Sequence, residues 1–98
     1  MLPSFPGGEK ALAAYMVKEV TYPKKAKKAG IEGKVIVGFV VDKDGAVTDA
    51  KVTRGVDPLL DAEALRAVQA MPKWIPGTVN GKPVKVFFNL PVRFKLKD

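Results

Sequence analysis

Cysteine and histidine are both absent from the 98 residues, and each absence closes off chemistry. Without cysteine there is no disulfide and no thiolate ligand, so redox chemistry is silent about the compartment. Without histidine the chain lacks the commonest general base, and the two gaps together remove the usual ligands for zinc and copper. No catalytic, cofactor-binding or metal-ligating residue is assigned, and the expectation is a domain that is not an enzyme. Long apolar runs are missing as well. The longest, Val35 to Val41, is seven residues, far short of the ~20 that span a bilayer as a helix. The opening Met1-Leu2-Pro3-Ser4-Phe5-Pro6 has neither the basic front nor the apolar stretch of a secretory signal. Any targeting or anchoring segment is therefore expected outside this chain.

What is present is an ordinary globular balance of 47% hydrophobic and 28% charged residues, which excludes a disordered tail. A chain of this length removes roughly two-thirds of its unfolded surface from water on folding, enough for one modest core. The net charge of +7 invites a nucleic-acid reading through counterion release from phosphates, but no recognisable nucleic-acid motif accompanies it.

Along the chain, Phe5-Pro6-Gly7-Gly8 reads as a turn. A helix is predicted from Glu9 to about Val20, with Leu12, Tyr15, Met16 and Glu19 at helical steps. Pro23, suited to a first helical position, and Gly30 bracket a short helix over Lys24 to Ala29, with Ala26 and Ala29 expected inward and four lysines outward. Lys34 to Asp42 has apolar residues on both faces, as a central strand does. Asp42-Lys43-Asp44-Gly45 then turns it into a second, antiparallel strand from Ala46 to Thr53. Asp57-Pro58 supplies a helix cap and a first-turn proline. Leu60, Ala64, Leu65, Val68 and Met71 form the inward stripe of a helix stopped by Pro72. After a turn at Asn80-Gly81, residues from Val84 to Lys97 alternate with period two as one long strand. Pro91 lies within it, which places that strand at a sheet edge, because a proline has no N–H for a second neighbour.

Several groups invite a functional reading beside a plainer one. Asp42, Asp44 and Asp49 lack the ligand count and glycine position of a calcium loop, and turn chemistry accounts for them. Asp57, Asp61 and Glu63 gather at a helix start, where carboxylates favour the positive end of the dipole. Lys24, Lys25, Lys27 and Lys28 could meet phosphates, an anionic membrane or an acidic polymer, or could be a solvated helix face. Trp74 reads as a core residue packed on the sheet with its indole N–H on a carbonyl, against the alternative of a recognition anchor. Phe87 breaks the polar face of the edge strand. It either lines a pocket for an added peptide strand or packs against the N-terminal helix.

Taken in order, Phe5-Pro6-Gly7-Gly8, Tyr22-Pro23 with Gly30-Ile31-Glu32-Gly33, Asp42-Lys43-Asp44-Gly45, Asp61-Ala62-Glu63-Ala64-Leu65, Met71-Pro72-Lys73-Trp74-Ile75-Pro76-Gly77, Asn80-Gly81-Lys82-Pro83-Val84 and Leu90-Pro91-Val92 resemble the C-terminal domain of TonB-like energy transducers. The resemblance implies an α+β fold, a three-stranded antiparallel sheet with two to three helices packed on one face. One domain over 1–98 is expected, with an N-terminal helical segment over 1–30 and the hairpin, helix and edge strand over 31–98. It also implies a periplasmic protein-binding role, in a parent anchored in the inner membrane and worked by a proton-driven motor. The family's domain binds the TonB box of outer-membrane receptors by strand addition and drives uptake of siderophores or vitamins. Here that places partner binding on Val84, Lys85, Val86, Phe87, Phe88, Asn89, Leu90, Arg93 and Lys95. Related domains also occur on other membrane proteins, including peptidase-like sensors. Nucleic-acid binding, binding of peptidoglycan and homodimerisation through the same edge are the alternatives.

Overall fold

The computed structural model describes residues 1–96, so Lys97, the last member of the alternating pattern, lies outside the described residues. The helices start where local chemistry favours them. Asp57 is extended, and its carboxylate accepts the Leu59 N–H at 2.9 Å ahead of Pro58, opening α3 (Pro58–Gln69). Its inward stripe is Leu60, Ala64, Ala67 and Val68, all fully buried, while Leu65 and Met71 are half-buried. Ala67 completes a stripe that the larger side chains only outline. Helix α1 (Glu9–Glu19) buries no residue completely. It lays Leu12, Tyr15 and Met16 against the core, and the Tyr15 hydroxyl donates to the Ala67 carbonyl of α3 at 3.0 Å.

Helix α2 (Lys24–Lys28) buries Ala26 but not Ala29. The helix stops at Lys28, and Ala29, as its cap, already leads the chain outward into the turn at Gly30. Pro23 stands one position earlier than expected, as the extended residue before the first turn.

The hairpin forms β1 (Gly33–Val41) and β2 (Val47–Arg54). Its turn is held by the Asp42 carboxylate, which accepts the N–H groups of Asp44 and Ala46 at 2.9 Å each. At Gly45 the backbone is left-handed, φ +88, and the chain from Trp74 presses on it: the Trp74 N–H donates to the Gly45 carbonyl at 2.7 Å. A side chain here would fall inside the Trp74 carbonyl.

The expected single strand from Val84 onward is instead two. Strands β3 (Gly77–Val79) and β4 (Lys82–Val84) form their own ribbon around Asn80 and Gly81, both with positive φ as a two-residue hairpin turn requires. Val84 pairs with Gly77. After Lys85 the chain enters β5 (Val86–Phe94), which pairs antiparallel with β1 from Val41↔Val86 to Gly33↔Phe94. Alternation runs unbroken through Lys85 because the side-chain period is the same on both sides of a change of partner. The three-stranded sheet therefore has the order β2-β1-β5, with β1 central and β5 at an edge.

The helices cover one face of the sheet. There Val35, Val37, Phe39 and Val41 of β1 and Leu90, Val92 and Phe94 of β5 are buried with Leu60, Ala64 and Val68 of α3. Each large apolar side chain so buried contributes about 1.5–3 kcal/mol. Trp74, 4% exposed, fills the end of this core with its ring centroid 5.4 Å from Phe39 and Phe88 and 5.7 Å from Phe5. Its indole N–H does not find the carbonyl expected for it. Surrounded by aromatic rings, the buried nitrogen has no acceptor among the described residues.

A candidate docking edge

The direction of each main-chain group on β5 follows from its register with β1. The carbonyl of Ile36 accepts the Thr53 hydroxyl of β2 at 3.2 Å, and that of Val40 lies 3.5 Å from the Thr48 hydroxyl. Both therefore point toward β2 and away from β5. In an antiparallel pair, opposed residues either both face each other with their N–H and C=O groups or both turn them outward. Pro91, opposite Ile36, and Phe87, opposite Val40, must then turn theirs to the free flank, and so must Asn89 and Arg93 between and beyond them. Pro91 costs the sheet nothing in this orientation, because its missing N–H falls where no strand of the domain lies. No other described residue makes a main-chain hydrogen bond to the outward groups of Phe87, Asn89, Pro91 or Arg93.

The predicted binding residues separate into three sets. Phe87, Asn89 and Arg93 offer main-chain groups to the free flank and expose their side chains on the face opposite the helices, and Lys95, past the end of β5, is exposed beside them. Val86, Phe88 and Leu90 turn their main chain to β1 and their side chains to the core side. Val84 and Lys85 are not on β5 at all, Val84 being bonded within the β3–β4 ribbon. Phe87, 54% exposed, does not pack against the N-terminal helix. It lies over Gly38, where a Cβ would come within 2.7 Å of its ring, 2.8 Å of the Thr53 methyl and 3.1 Å of the Asn89 side-chain oxygen. A glycine in the central strand thus leaves a shallow seat that the aromatic ring partly fills.

Below the flank, on the helix side, a groove of about 230 Å³ runs between Met16, Val17, Val20 and Tyr22 and the strand from Pro91 to Lys95. None of these four groove residues is among those predicted to bind a partner, although the sequence places Met16 on the helical stripe and Tyr22 in a family motif. Val17, 83% exposed, stands off the inward stripe of α1, and an apolar side chain on the outer side of an otherwise docked helix was the available signal. Tyr22 forms one wall. Its ring meets Phe94 edge-on at 5.5 Å, its hydroxyl donates to the Ile31 carbonyl, and burial, reinforced by the Glu32 charge, raises its pKa, which keeps the phenol a donor.

The acidic groups are mostly engaged elsewhere. Asp61 accepts the Val56 N–H at 2.9 Å. Glu63 accepts the Thr21 N–H at 2.7 Å and pairs with Arg66, which also holds Glu19 of α1 at 3.0 Å. The hydrogen bond from Arg66 lowers the Glu63 pKa, against an opposing push from burial. The four lysines of α2 are all exposed.

Comparison with known proteins agrees with this architecture. A family model described as the C-terminal region of the Gram-negative bacterial TonB protein matches residues 18–96. Protein TonB of Helicobacter pylori is 37% identical over 79 residues, 79% of this chain and 26% of that protein. Protein TonB of Vibrio cholerae is 34% identical over 77 residues, 78% of this chain and 31% of that protein. The chain thus spans between a quarter and a third of the curated relatives it matches. The solution structure of the Helicobacter pylori TonB C-terminal domain superimposes with a TM-score of 0.69 at 30% identity, covering 91% of this chain and 94% of that one. The Pseudomonas aeruginosa TonB C-terminal domain gives 0.64 at 30% identity, covering 80% and 79%. With the sheet order, the helices and the sequence in agreement over most of its length, the chain belongs to the TonB C-terminal domain family.

Proposed function

We propose that this domain is the receptor-capturing, non-catalytic end of a periplasmic energy transducer. It binds an extended segment of an outer-membrane receptor, the TonB box, as a further strand beside β5, and passes on work from a proton-driven inner-membrane motor to nutrient uptake. The observation that carries this reading is the outward row of main-chain groups on β5, which a guest backbone can pair with. Family membership supports it. No helix among the described residues is long and apolar enough to cross a membrane, so the anchor of such a transducer would belong to another part of the parent.

The energetics define what the flank must add. If about five hydrogen bonds form at a net ~1 kcal/mol each, they fall short of the ~8 kcal/mol of a micromolar complex. The remainder comes from side chains entering the groove beside Met16, Val17, Val20 and Tyr22, and from charge attraction to Arg93 and Lys95. Asn89→Pro tests the main-chain role directly, because the Asn89 N–H points outward. Titrating labelled protein with peptides from receptor plug ends should shift resonances from Phe87 to Lys95. Asn89→Pro should weaken binding about five- to tenfold with the fold retained, while Asn89→Ala, which keeps the N–H, should bind nearly as the parent does. Unchanged affinity for a folded Asn89→Pro variant would reject this edge.

A further inference from the structure

The face of the sheet that the helices leave bare is basic around an apolar centre. Register places Lys34, Lys51, Arg54 and Arg93 on it, beside Ile36, Gly38 and Asn89. All four cations are exposed, and none forms an ion pair with another described residue. Among them lie Ile36, Val40, Pro91 and the exposed ring of Phe87; neither Ile36 nor Val40 belongs to the core cluster, and no described element covers them. Asp49, in the irregular stretch of β2, is the one acidic residue within the three strands, and Glu32, just before β1, is engaged, its carboxylate accepting the Leu96 N–H at 2.6 Å.

We propose that this face docks on an anionic lipid surface, with Phe87 at the headgroup boundary and the surrounding cations over lipid phosphates. Two properties favour a bilayer over a soluble polyanion. The surface is a broad sheet face and not a cleft that would track one polymer strand, and its apolar centre gains from contact only where the partner also has an apolar layer. A second copy of the chain is disfavoured by the same four positive charges meeting themselves. Docked this way, β5 keeps its free flank parallel to the membrane and open sideways.

Lys51 and Arg54 sit on β2, on the far side of β1 from the free flank, so their substitution separates this proposal from strand addition at β5. The test is co-sedimentation with vesicles of phosphatidylglycerol and phosphatidylcholine mixed, against phosphatidylcholine alone, at low and high salt. Binding is expected to the anionic vesicles only and to be lost at high salt. Lys51→Glu/Arg54→Glu should weaken it by at least about 25-fold, each basic residue removed near an anionic surface accounting for about fivefold, with thermal unfolding and the dissociation rate of a bound receptor peptide unchanged. In Phe87→Trp, the new indole should shift its emission to the blue on anionic vesicles. Equal binding of the double variant, an unshifted Phe87→Trp emission, or equally tight binding to a single-stranded oligonucleotide at the same salt would each overturn the proposal, the last by showing a mere polyanion surface.

Discussion

Gly45 shows how one residue can hold two distant segments to a common geometry. Its positive φ suits the hairpin turn, and its missing side chain lets the Trp74 backbone close on it. Gly45→Ala would combine a backbone strain with a steric overlap against main chain, which cannot rotate away. Urea unfolding followed by circular dichroism should show a loss of about 3 kcal/mol; a loss below about 1 kcal/mol would mean that the Trp74 segment does not rest there. The Trp74 side chain is held by ring contacts without a hydrogen bond, and its buried indole N–H without an acceptor is a cost that the packing of Phe5, Phe39 and Phe88 offsets. At Gly38 the same absence of a side chain works on the opposite face, where Phe87 and Asn89 settle over the central strand.

Among the three helices of the described residues, α1 is the least deeply buried. It has no fully buried residue, and its last turn is tied to α3 by Arg66, whose guanidinium bonds the Glu19 carboxylate at 3.0 Å, the Glu19 carbonyl at 2.8 Å and the Glu63 carboxylate. Since Arg66 is half-exposed, the global worth of this clamp is about 1 kcal/mol or less, but it lies where α1 would otherwise fray. Arg66→Ala should therefore leave the cooperative unfolding midpoint little changed and speed hydrogen exchange of the α1 amides severalfold; exchange confined to the global rate in the variant would dismiss the clamp. The same contact has a pH signature. With the Glu63 pKa lowered in the fold, its contribution is complete above the ordinary value of 4.5 and fades as pH falls through the lower folded value. Protection of the α1 amides, taken relative to their intrinsic exchange rates, should fall with acidity in the parent and lose most of that dependence in Arg66→Ala. Because α1 also forms one wall of the groove beside β5, loosening it would widen the place where a guest strand's side chains enter.

For the whole molecule, the +7 charge is spread over α2, the bare sheet face and the end of β5, while several acids are spent on caps, a turn and the clamp. An acidic receptor segment approaching β5 would be steered by this field, and steering is screened over ~10 Å at 0.1 M salt. Raising salt from about 50 mM to about 500 mM should slow association with such a peptide about tenfold in stopped-flow measurements and change dissociation little. A dissociation rate that carried the whole effect would move the charges from steering into the bound contact. What the sequence determined by itself was whatever depends on near neighbours along the chain. The cap at Asp57-Pro58, the turn at Asp42 to Gly45, the central character of β1 and the edge position announced by Pro91 were all legible for that reason. The tertiary structure decided the rest. It split the last alternating stretch at Lys85, chose which β5 amides face outward, seated Phe87 on Gly38 instead of on α1, and made a groove from the outer side of α1. Alternation records which face a side chain takes, whereas the partner of a backbone and the neighbour across a gap are set by segments far away in the chain, and no local pattern encodes them.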